Sequence, residues 1–574
     1  MMKALTPLKK HRVKVFLAPG LKAIECTCEL IIPFLVRAII DDGLSPSGAH
    51  YGDAGYVLGL CGIVFGLSVL GFLFTMVTQY VASRVCTDYA FDLKNEIYRH
   101  YGALTPAQLE NYGKSKALNL INASSLSLQT GVQMFMRLLV RAPYLVVGSV
   151  VAAFLVNVYA GFVVLGSLAL SALVIGIVVA KTPKEYTALM NDLDALAVSG
   201  DDAIAGARVV KAFNKQEDTA KQFQVRSSAY RKQATVLARI NAFINPLTFG
   251  LVNLAVVGIL ALGSFAYETT GISVGSIVAI VSFLTQSLNA LIQFTRLVTS
   301  FSKAYADKKR VDAFFAIVPA VQDGDLVEEP TSFQHLYELR GASLSFGGEG
   351  YALSNIDFHV DEGESIGIIG GTGSGKSTLL GLLLRFNDVS LGQAYFHDHD
   401  IKQSQLHNLR HDVALVSQKP QLFAGSIREN LTLGRKYSNE EIRRALKDAL
   451  AEDIVKGKYG GLDATVEENG ANFSGGQKQR LLIARALLSG RKVLMLDDAT
   501  SALDYKSDAM VRANIKKREN TTLILVSQRA TSVQGCDRIY VLEHGKVVGV
   551  GRHEELMSSC DVYREIYQAQ VSQQ

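Results

Sequence analysis

Tryptophan is absent from all 574 residues, so tyrosine must supply any aromatic anchors at a membrane–water interface. Tyr56, Tyr159 and Tyr267 stand at the ends of apolar stretches, where that role requires them. Cysteine is scarce: of six, four (Cys26, Cys28, Cys61 and Cys86) sit in or near apolar runs. Cys26 and Cys28 form a C-x-C pair, too close for ordinary zinc-site spacing, so they read as small apolar residues. No disulfide framework is implied. Charged residues make up only 19% of the chain, with a formal net charge of +5. The basic groups flank apolar spans and no aromatic/basic patch accompanies them, which argues against nucleic acid as a partner.

What is abundant is apolar sequence: 49% of residues are hydrophobic and mean hydropathy is +0.20, too high for an ordinary soluble protein of this length. The windows 54–83, 142–180, 240–267 and 269–295 contain no Lys, Arg, Asp or Glu. Each is long enough to cover the ~20 residues needed to cross a bilayer, and Asn157-Val-Tyr-Ala-Gly161 offers a turn that splits the second into two spans. The basic N-terminus leads into an imperfect apolar stretch over about 13–40. Lys22, Glu25 and Glu29 interrupt it and no small-x-small site follows, so it reads as a retained first span rather than a signal peptide. Six spans result.

Basic residues alternate with these spans. Lys9, Lys10, Arg12 and Lys14 precede the first; Arg84, Lys94 and Arg99 follow the second; Lys181, Lys184, Arg208 and Lys211 follow the fourth; Lys308, Lys309 and Arg310 follow the sixth. The connections near Gly43, Tyr159 and Thr270 are short and almost free of Lys and Arg. The positive-inside rule therefore places both termini in the cytoplasm of a multi-pass protein of the cytoplasmic membrane. The long polar connections 87–137 and 181–239 are rich in helix formers and read as helical extensions below the bilayer. Their tips, near Gly113-Lys-Ser-Lys-Ala-Leu and Ala203-Ile-Ala-Gly-Ala-Arg, are placed to dock on a soluble domain. A Pro/Gly/acid cluster from Val318 to Pro330 marks a boundary. The expected division is a membrane domain at 1–318, a linker at 319–336, and an alternating strand–helix domain at 337–574.

In that last domain, Gly370, Gly371, Thr372, Gly373, Ser374, Gly375, Lys376 and Ser377 fit the phosphate-cradling pattern G-x-x-x-x-G-K-[ST], with Thr378 next in line. An apolar run, Ser365-Ile-Gly-Ile-Ile, precedes it and a Leu-rich helical stretch follows, which is the context the motif needs. Glycines let backbone N–H groups approach phosphate oxygens and the helix N-terminus adds a favourable field. Lys376 supplies a point charge and Ser377 a hydroxyl for Mg²⁺. Val493-Leu-Met-Leu-Asp497 reads as a buried strand ending in a carboxylate for the Mg²⁺ shell. Ser474-Gly475-Gly476-Gln477 opens a helix, an anion-binding arrangement that is equally well read as a simple helix cap.

Taken in order, the phosphate loop, Gln418, Ser474-Gly-Gly-Gln477, Asp497 and Ser501-Ala-Leu-Asp504 resemble the nucleotide-binding domain of ATP-binding cassette (ABC) transporters. With six preceding spans, nearly the whole chain resembles an exporter half-transporter of that family. The resemblance implies an all-α membrane domain plus an α/β P-loop domain, ATP and Mg²⁺ as cofactors, and two cassettes closing head to tail. Each ATP would then lie between one chain's phosphate loop and the other's Ser-Gly-Gly-Gln. Gln418 would join Ser377 and Asp497 around Mg²⁺, and Asp504 would stand in the D-loop. The adenine-stacking aromatic maps to Phe346, with Tyr351 as runner-up.

Two departures shape the expectation further. Asp498 stands where the family's general base is Glu, and its carboxylate is retracted by one C–C bond, about 1.5 Å. Gln528 stands in place of the switch His and can hydrogen-bond but carries no charge near neutral pH. Phe473 replaces a usual Leu, an apolar exchange, and Glu467-Glu468-Asn469-Gly470 drifts from the family pattern. Together Asp498 and Gln528 resemble the degenerate half of a heterodimeric exporter, whose intact signature completes a competent site on a partner chain. The alternatives are a homodimeric exporter and an ATP-binding regulatory subunit. Candidate cavity groups are Gln286, Asn289, Gln293 and Arg296 on one face of the sixth span, and Asn241 and Asn245 in the fifth, with Asn253 beyond. Interhelical hydrogen bonding accounts for such a stripe equally well. Glu25 and Glu29 are placed either to attract a cationic substrate or to sit in a cytoplasmic extension. The cargo is open among drug, lipid, peptide, metal chelate and haem.

Overall fold

A computed structural model describes residues 4–265, 272–326, 333–347, 350–518 and 520–571. The chain forms two compact units, one made of Met1–Gly102 and Tyr112–Val318, the other of Ala103–Asn111 and Pro319–Gln574.

The first unit is helical. Its long apolar elements are α1 (Arg12–Ala38), α2 (Ala54–Ala103), α3 (Arg141–Val156), α4 (Val158–Ala205), α5 (Ile244–Phe265) and α6 (Val274–Phe315), with a polar 27-residue helix, Gln216–Ala242, between α4 and α5. Among the described residues, four stretches are long and apolar enough to cross a membrane: Ala54–Ala103, Lys114–Val156, Val158–Ile177 and Val274–Phe315. Pro246–Ala261 is a shorter apolar helix. The 27-residue α1 is a continuous helix despite Pro19 and Pro33, and its own Lys and Glu residues keep it out of the uniformly apolar set. Tyr267 and Glu268 lie outside the described residues.

Local chemistry sets the helix boundaries. The Asn157 side chain accepts from the N–H groups of Tyr159 and Ala160, capping α4 where the apolar window had to be split. Ser273 caps α6 by accepting from Ser276 N–H. Asp41, in the π-helical end that follows α1, reaches across to accept from Gly275 N–H at 2.9 Å. A Cβ at residue 275 would fall 2.7 Å from the Asp41 carboxylate and the Arg37 carbonyl, so this approach needs glycine. Short helices at Lys114–Asn119 and Ala207–Ala212 occupy the two tips expected from sequence.

Lys22, Glu25 and Glu29 of α1 are paired inside the unit. Lys22 Nζ lies 2.7 Å from Glu25 Oε1. Arg141, at the start of α3, donates to Glu25 Oε1 at 2.6 Å and to Glu29 Oε1 at 2.9 Å. The side chains of Glu25 and Arg141 are 3% and 21% exposed, so this is a largely desolvated pair. Glu25 therefore offers no free carboxylate to a cation, and Glu29 offers one already shared with a guanidinium. Gln286 on α6 donates to the Glu29 carbonyl at 3.3 Å, while its own Oε1 is buried without a partner. Asn289 is exposed, Gln293 half-buried, and Asn253 exposed with its amide on the Phe249 carbonyl. The side chains of Asn241 and Asn245 lie outside the described residues.

The second unit is α/β. A six-stranded sheet runs in the spatial order Lys546–Gly551, Arg538–Glu543, Ser365–Gly370, Thr522–Ser527, Val493–Asp497, Val413–Val416. All neighbours are parallel except the outermost pair, Arg538–Glu543 with Lys546–Gly551. Its central strands are buried on both faces, which is why they read as near-continuous apolar runs. A second, antiparallel sheet of four strands packs beside it through Tyr337, Phe358 and Phe396. Gln108 belongs to this unit, and its side-chain oxygen accepts from Ala320 N–H.

Removing one partner of a buried ion pair strands the other charge. Arg141→Leu leaves Glu25 on Lys22 but strips Glu29 of its guanidinium, so it should cost about 1–3 kcal/mol, read as a lower unfolding midpoint in detergent. Lys10→Ala, which breaks an exposed bridge to Asp92, should cost less than about 1 kcal/mol. Equal effects would contradict the burial argument.

Candidate functional site

Three adjacent parallel strands end at one edge of the central sheet and deliver the site. Ser365–Gly370 runs into the phosphate loop, Val493–Asp497 into Asp497-Asp498, and Thr522–Ser527 into Gln528. In the register, Val526 stands opposite Asp497 and Ser527 opposite Ile369, so all three ends arrive together.

The loop is shaped by glycine. A Cβ at residue 370 would fall 2.1 Å from the Leu542 carbonyl, and Gly373 and Gly375 have φ of 79° and 99°, in the left-handed region. Gly371 has open space on its Cα, leaving the backbone approachable from outside. Ser374 is buried, whereas Gly371, Thr372 and Ser377 are exposed and Thr378 is half-buried. Lys376 Nζ donates to the carbonyls of Gly370 at 2.9 Å and Gly371 at 2.6 Å. Burial holds this ammonium below the ordinary lysine range, against the pull of Asp498 and Asp497. The cation is thus fixed across the loop, beside the N-terminus of the Lys376–Leu383 helix.

Ser377 Oγ donates to Asp497 Oδ1 at 3.0 Å. This hydroxyl–carboxylate pair is the donor set a hard divalent cation requires, so the residues present fit Mg²⁺ as well as phosphate. When bound, Mg²⁺ would neutralise phosphate charge. Burial raises the Asp497 carboxyl above its ordinary range, opposed by the Ser377 hydroxyl. Asp498 is raised for the same reason, opposed first by the Gln418 amide. Gln418 Nε2 approaches Asp498 Oδ2 at 3.5 Å, a long contact that brings the two predicted groups together. Asp498 has φ 50°, a left-handed backbone that Asp tolerates better than most residues. Its N–H bonds to the Val526 carbonyl at 2.9 Å, which pins the turn.

Gln528 is exposed, directly after the strand end. Gln570, on the Asp561–Val571 helix, holds its backbone: Gln570 Nε2 donates to the Gln528 carbonyl at 2.7 Å and Gln570 Oε1 accepts from Ala530 N–H at 2.8 Å. Phe346 and Tyr351 are both about half exposed, at 57% and 49%.

Ser474 is a genuine helix cap. Its Oγ accepts from Gln477 N–H while Gln477 Oε1 accepts from Ser474 N–H, a capping box that opens the Gly475–Leu488 helix. Capping and anion binding use the same helix end, so the two readings coexist at Ser474, Gly475, Gly476 and Gln477. Asp504 likewise caps the Tyr505–Lys516 helix, accepting from Ser507 N–H and Oγ. Those hydrogen bonds hold its carboxyl below the ordinary range.

Sequence reasoning passed over three side chains that tie these parts together: Arg529, Gln479 and Gln570. The position of Arg529 directly after Gln528 was the available signal for one of them; the other two lie far from their partners along the chain.

Comparison with known proteins bears on both domains. The ABC transporter family matches residues 353–501, and the ABC transporter transmembrane region matches residues 15–291. The chain is 29% identical over its whole length to the uncharacterized ABC transporter ATP-binding protein YfiB of Bacillus subtilis, covering 99% of that protein. It is 27% identical to an ATP-dependent lipid A-core flippase of Vibrio vulnificus, over 94% of this chain and 92% of the other. In fold it is similar to a bacterial Atm1-family ABC exporter with ATP bound, with a TM-score of 0.81 and 21% identity, covering 98% of this chain and 99% of that one. With a helical membrane domain and an ATP-binding cassette fused in one polypeptide, the chain belongs to the ABC transporters as an exporter-type half-transporter, an ATPase that works in the bilayer as one member of a dimer.

Proposed function

We propose that this chain is the degenerate-site subunit of a heterodimeric ABC exporter. The observation that carries the reading is the pair Asp498 and Gln528, which follow the two strands next in order on one side of the phosphate-loop strand, where the family uses Glu and His. A carboxylate retracted by about 1.5 Å falls in the range where misplacement costs ~10²-fold in rate. The uncharged Gln528 removes the second catalytic contribution at the same site. By contrast Ser474-Gly475-Gly476-Gln477 is intact and ordered by its capping box, ready to complete a nucleotide site on a partner chain. Under this reading the chain's own Lys376, Ser377, Gln418 and Asp497 hold Mg²⁺-ATP for long periods, with Phe346 stacking on adenine. Hydrolysis takes place mainly at the site shared with the partner. ATP binding closes the two cassettes and turns the cavity outward; hydrolysis resets it.

The domain assignment follows: a membrane domain at 1–318, a linker at 319–336 and the cassette at 337–574, with both termini and the cassette in the cytoplasm. The alternation of basic and non-basic connections supports this orientation. The polar face formed by Gln286, Asn289 and Gln293, with Glu29 behind it, is the proposed cavity wall, now read as polar and charge-balanced rather than acidic. A named activity among the full-length relatives is lipid A-core flipping, so an amphiphile drawn from the bilayer is the cargo class to assay first.

Two outcomes are expected. The complex purified with its partner should hydrolyse ATP; Asp498→Ala in this chain should change turnover by no more than about twofold, whereas Ser474→Arg should abolish it, a loss of about tenfold or more. Rapid turnover by this chain alone, abolished by Asp498→Ala, would overturn the reading. For orientation, a cysteine placed at Tyr159 should react with an impermeant maleimide from outside intact cells, and one placed at Lys211 only after permeabilisation. The reverse pattern would invert the topology.

A further inference from the structure

Gln528 lies at this chain's own nucleotide site, and Ser474 lies on the surface offered to the partner's. A continuous set of contacts connects them within one cassette. Arg529, next to Gln528, donates from one guanidinium nitrogen to the Leu503 carbonyl at 3.0 Å and from the other to the Ser501 carbonyl at 2.9 Å. Its plane lies over the Tyr505 ring, 4.8 Å from the centroid. Both carbonyls belong to the Ser501-Ala-Leu-Asp504 turn, so the planar fork grips the turn at two points, a geometry an ammonium cannot reproduce. The turn is also held by Gln479, which is 3% exposed. Gln479 Nε2 donates to Ser501 Oγ at 3.1 Å and its Oε1 accepts from Ala502 N–H at 2.9 Å. Gln479 sits on the second turn of the helix that Ser474 caps. The fit there is close, because a Cβ at residue 476 would fall 3.0 Å from the Ala502 carbonyl.

The Ser501 hydroxyl that accepts from Gln479 also donates to the Asp498 carbonyl at 2.8 Å, tying the turn back to the strand end. Three backbone groups of the turn, the carbonyls of Ser501 and Leu503 and the N–H of Ala502, are taken by these two side chains, Arg529 and Gln479. The backbone on either side of Arg529 is itself clamped, by Gln570 on the Gln528 carbonyl and the Ala530 N–H. The switch position therefore cannot shift along the sheet edge without dragging the turn, and the turn cannot shift without moving the helix start that carries the signature.

We propose that Arg529 is a positioning residue for the signature segment: acting through the Ser501–Leu503 backbone and Gln479, it sets where Ser474-Gly475-Gly476 stands over the partner's nucleotide. It thereby couples occupancy of this chain's slow site to hydrolysis at the other. The proposal rests on the reading that this chain's signature serves the partner's hydrolytic site. Arg529 touches neither nucleotide; it works through the turn.

The test uses the co-purified complex, with Arg529→Ala, Gln479→Leu and the double variant in this chain, the surface variant Lys10→Ala as the control for basal turnover, and Asp498→Ala as a separate test of the degenerate-site reading. Arg529→Ala should lower kcat by about tenfold, short of the ~10²-fold expected for a full ~1 Å misplacement, and leave KM for ATP within about twofold. Arg529→Lys, with one point charge for two carbonyls, should fall between. Because both residues act through one turn, the double variant should lose no more than the worse single variant. Thermal unfolding midpoints, measured in parallel, separate misfolding from mispositioning, and Arg529→Lys keeps the test readable if Gln479→Leu folds poorly. An Arg529→Ala complex within twofold of the parent, or single losses that multiply in the double variant, would overturn the proposal while leaving the degenerate-site reading intact. Loss of turnover on Asp498→Ala would instead remove the reading beneath it.

Discussion

The order of three strands is the constraint on which the cassette depends. Because Ser365–Gly370, Thr522–Ser527 and Val493–Asp497 are parallel neighbours, their carboxyl ends converge, and ligands of open α/β sheets sit beyond such ends. The phosphate loop, the Asp497-Asp498 pair and Gln528 are separated by well over a hundred residues at the extremes, yet register alone brings them together. No side-chain contact has to assemble the site. Side chains instead tune it, and they do so through burial: the ammonium of Lys376 is pushed down while the carboxyls of Asp497 and Asp498 are pushed up. A compact nest of partly desolvated charges of both signs results, which a polyanion with its cation would satisfy more completely than water can.

The membrane unit obeys a different rule. Its spans are exposed over large apolar faces, as Leu58, Phe65, Phe72 and Met76 on α2 illustrate, and their burial belongs to lipid. Specificity of helix packing then falls to a few polar contacts: Asp41 with Gly275, Arg141 with Glu25 and Glu29, and Thr27 with Tyr144. These contacts are few, long-range in sequence and close in space, which suits a medium where apolar contact gives little directional preference.

How much of this was legible in the sequence follows from the range of each interaction. The phosphate loop, the buried strand ending at Asp497 and the cap at Ser474 are local patterns, and each was visible as such. Asn157 as a turn between spans was visible for the same reason. The pairing of Arg141 with Glu25 spans 116 positions, and no periodicity encodes it, so Glu25 and Glu29 read as free acids when they are not. Gln479 looked like one more polar residue after the signature; only the fold brings the Ser501–Leu503 turn back against it. Gln570 falls beyond every recognisable motif, and its amide meets the switch loop through tertiary packing alone. The left-handed backbone of Asp498 was equally hidden, since a strand ending in two carboxylates does not announce which of them turns.

The pairing of Glu25 and Glu29 in α1 has a consequence for the order in which the chain is made. At 1.5 Å per residue, Glu29 and Glu25 lie about 16 and 22 Å along the helix from Ile40, so a hydrocarbon core roughly 30 Å thick that ended at Ile40 would enclose both. A translocon offered this segment meets ionised groups costing about 2.5–3.5 kcal/mol each near the helix centre. Lys22 offsets one of them from within the same helix; Glu29 has to wait for Arg141, 112 residues later. At ribosomal speed that interval is about 6–22 s. Until then Glu29 has no guanidinium to share, so the pairing seen in the folded chain forms only after the third helix has been made.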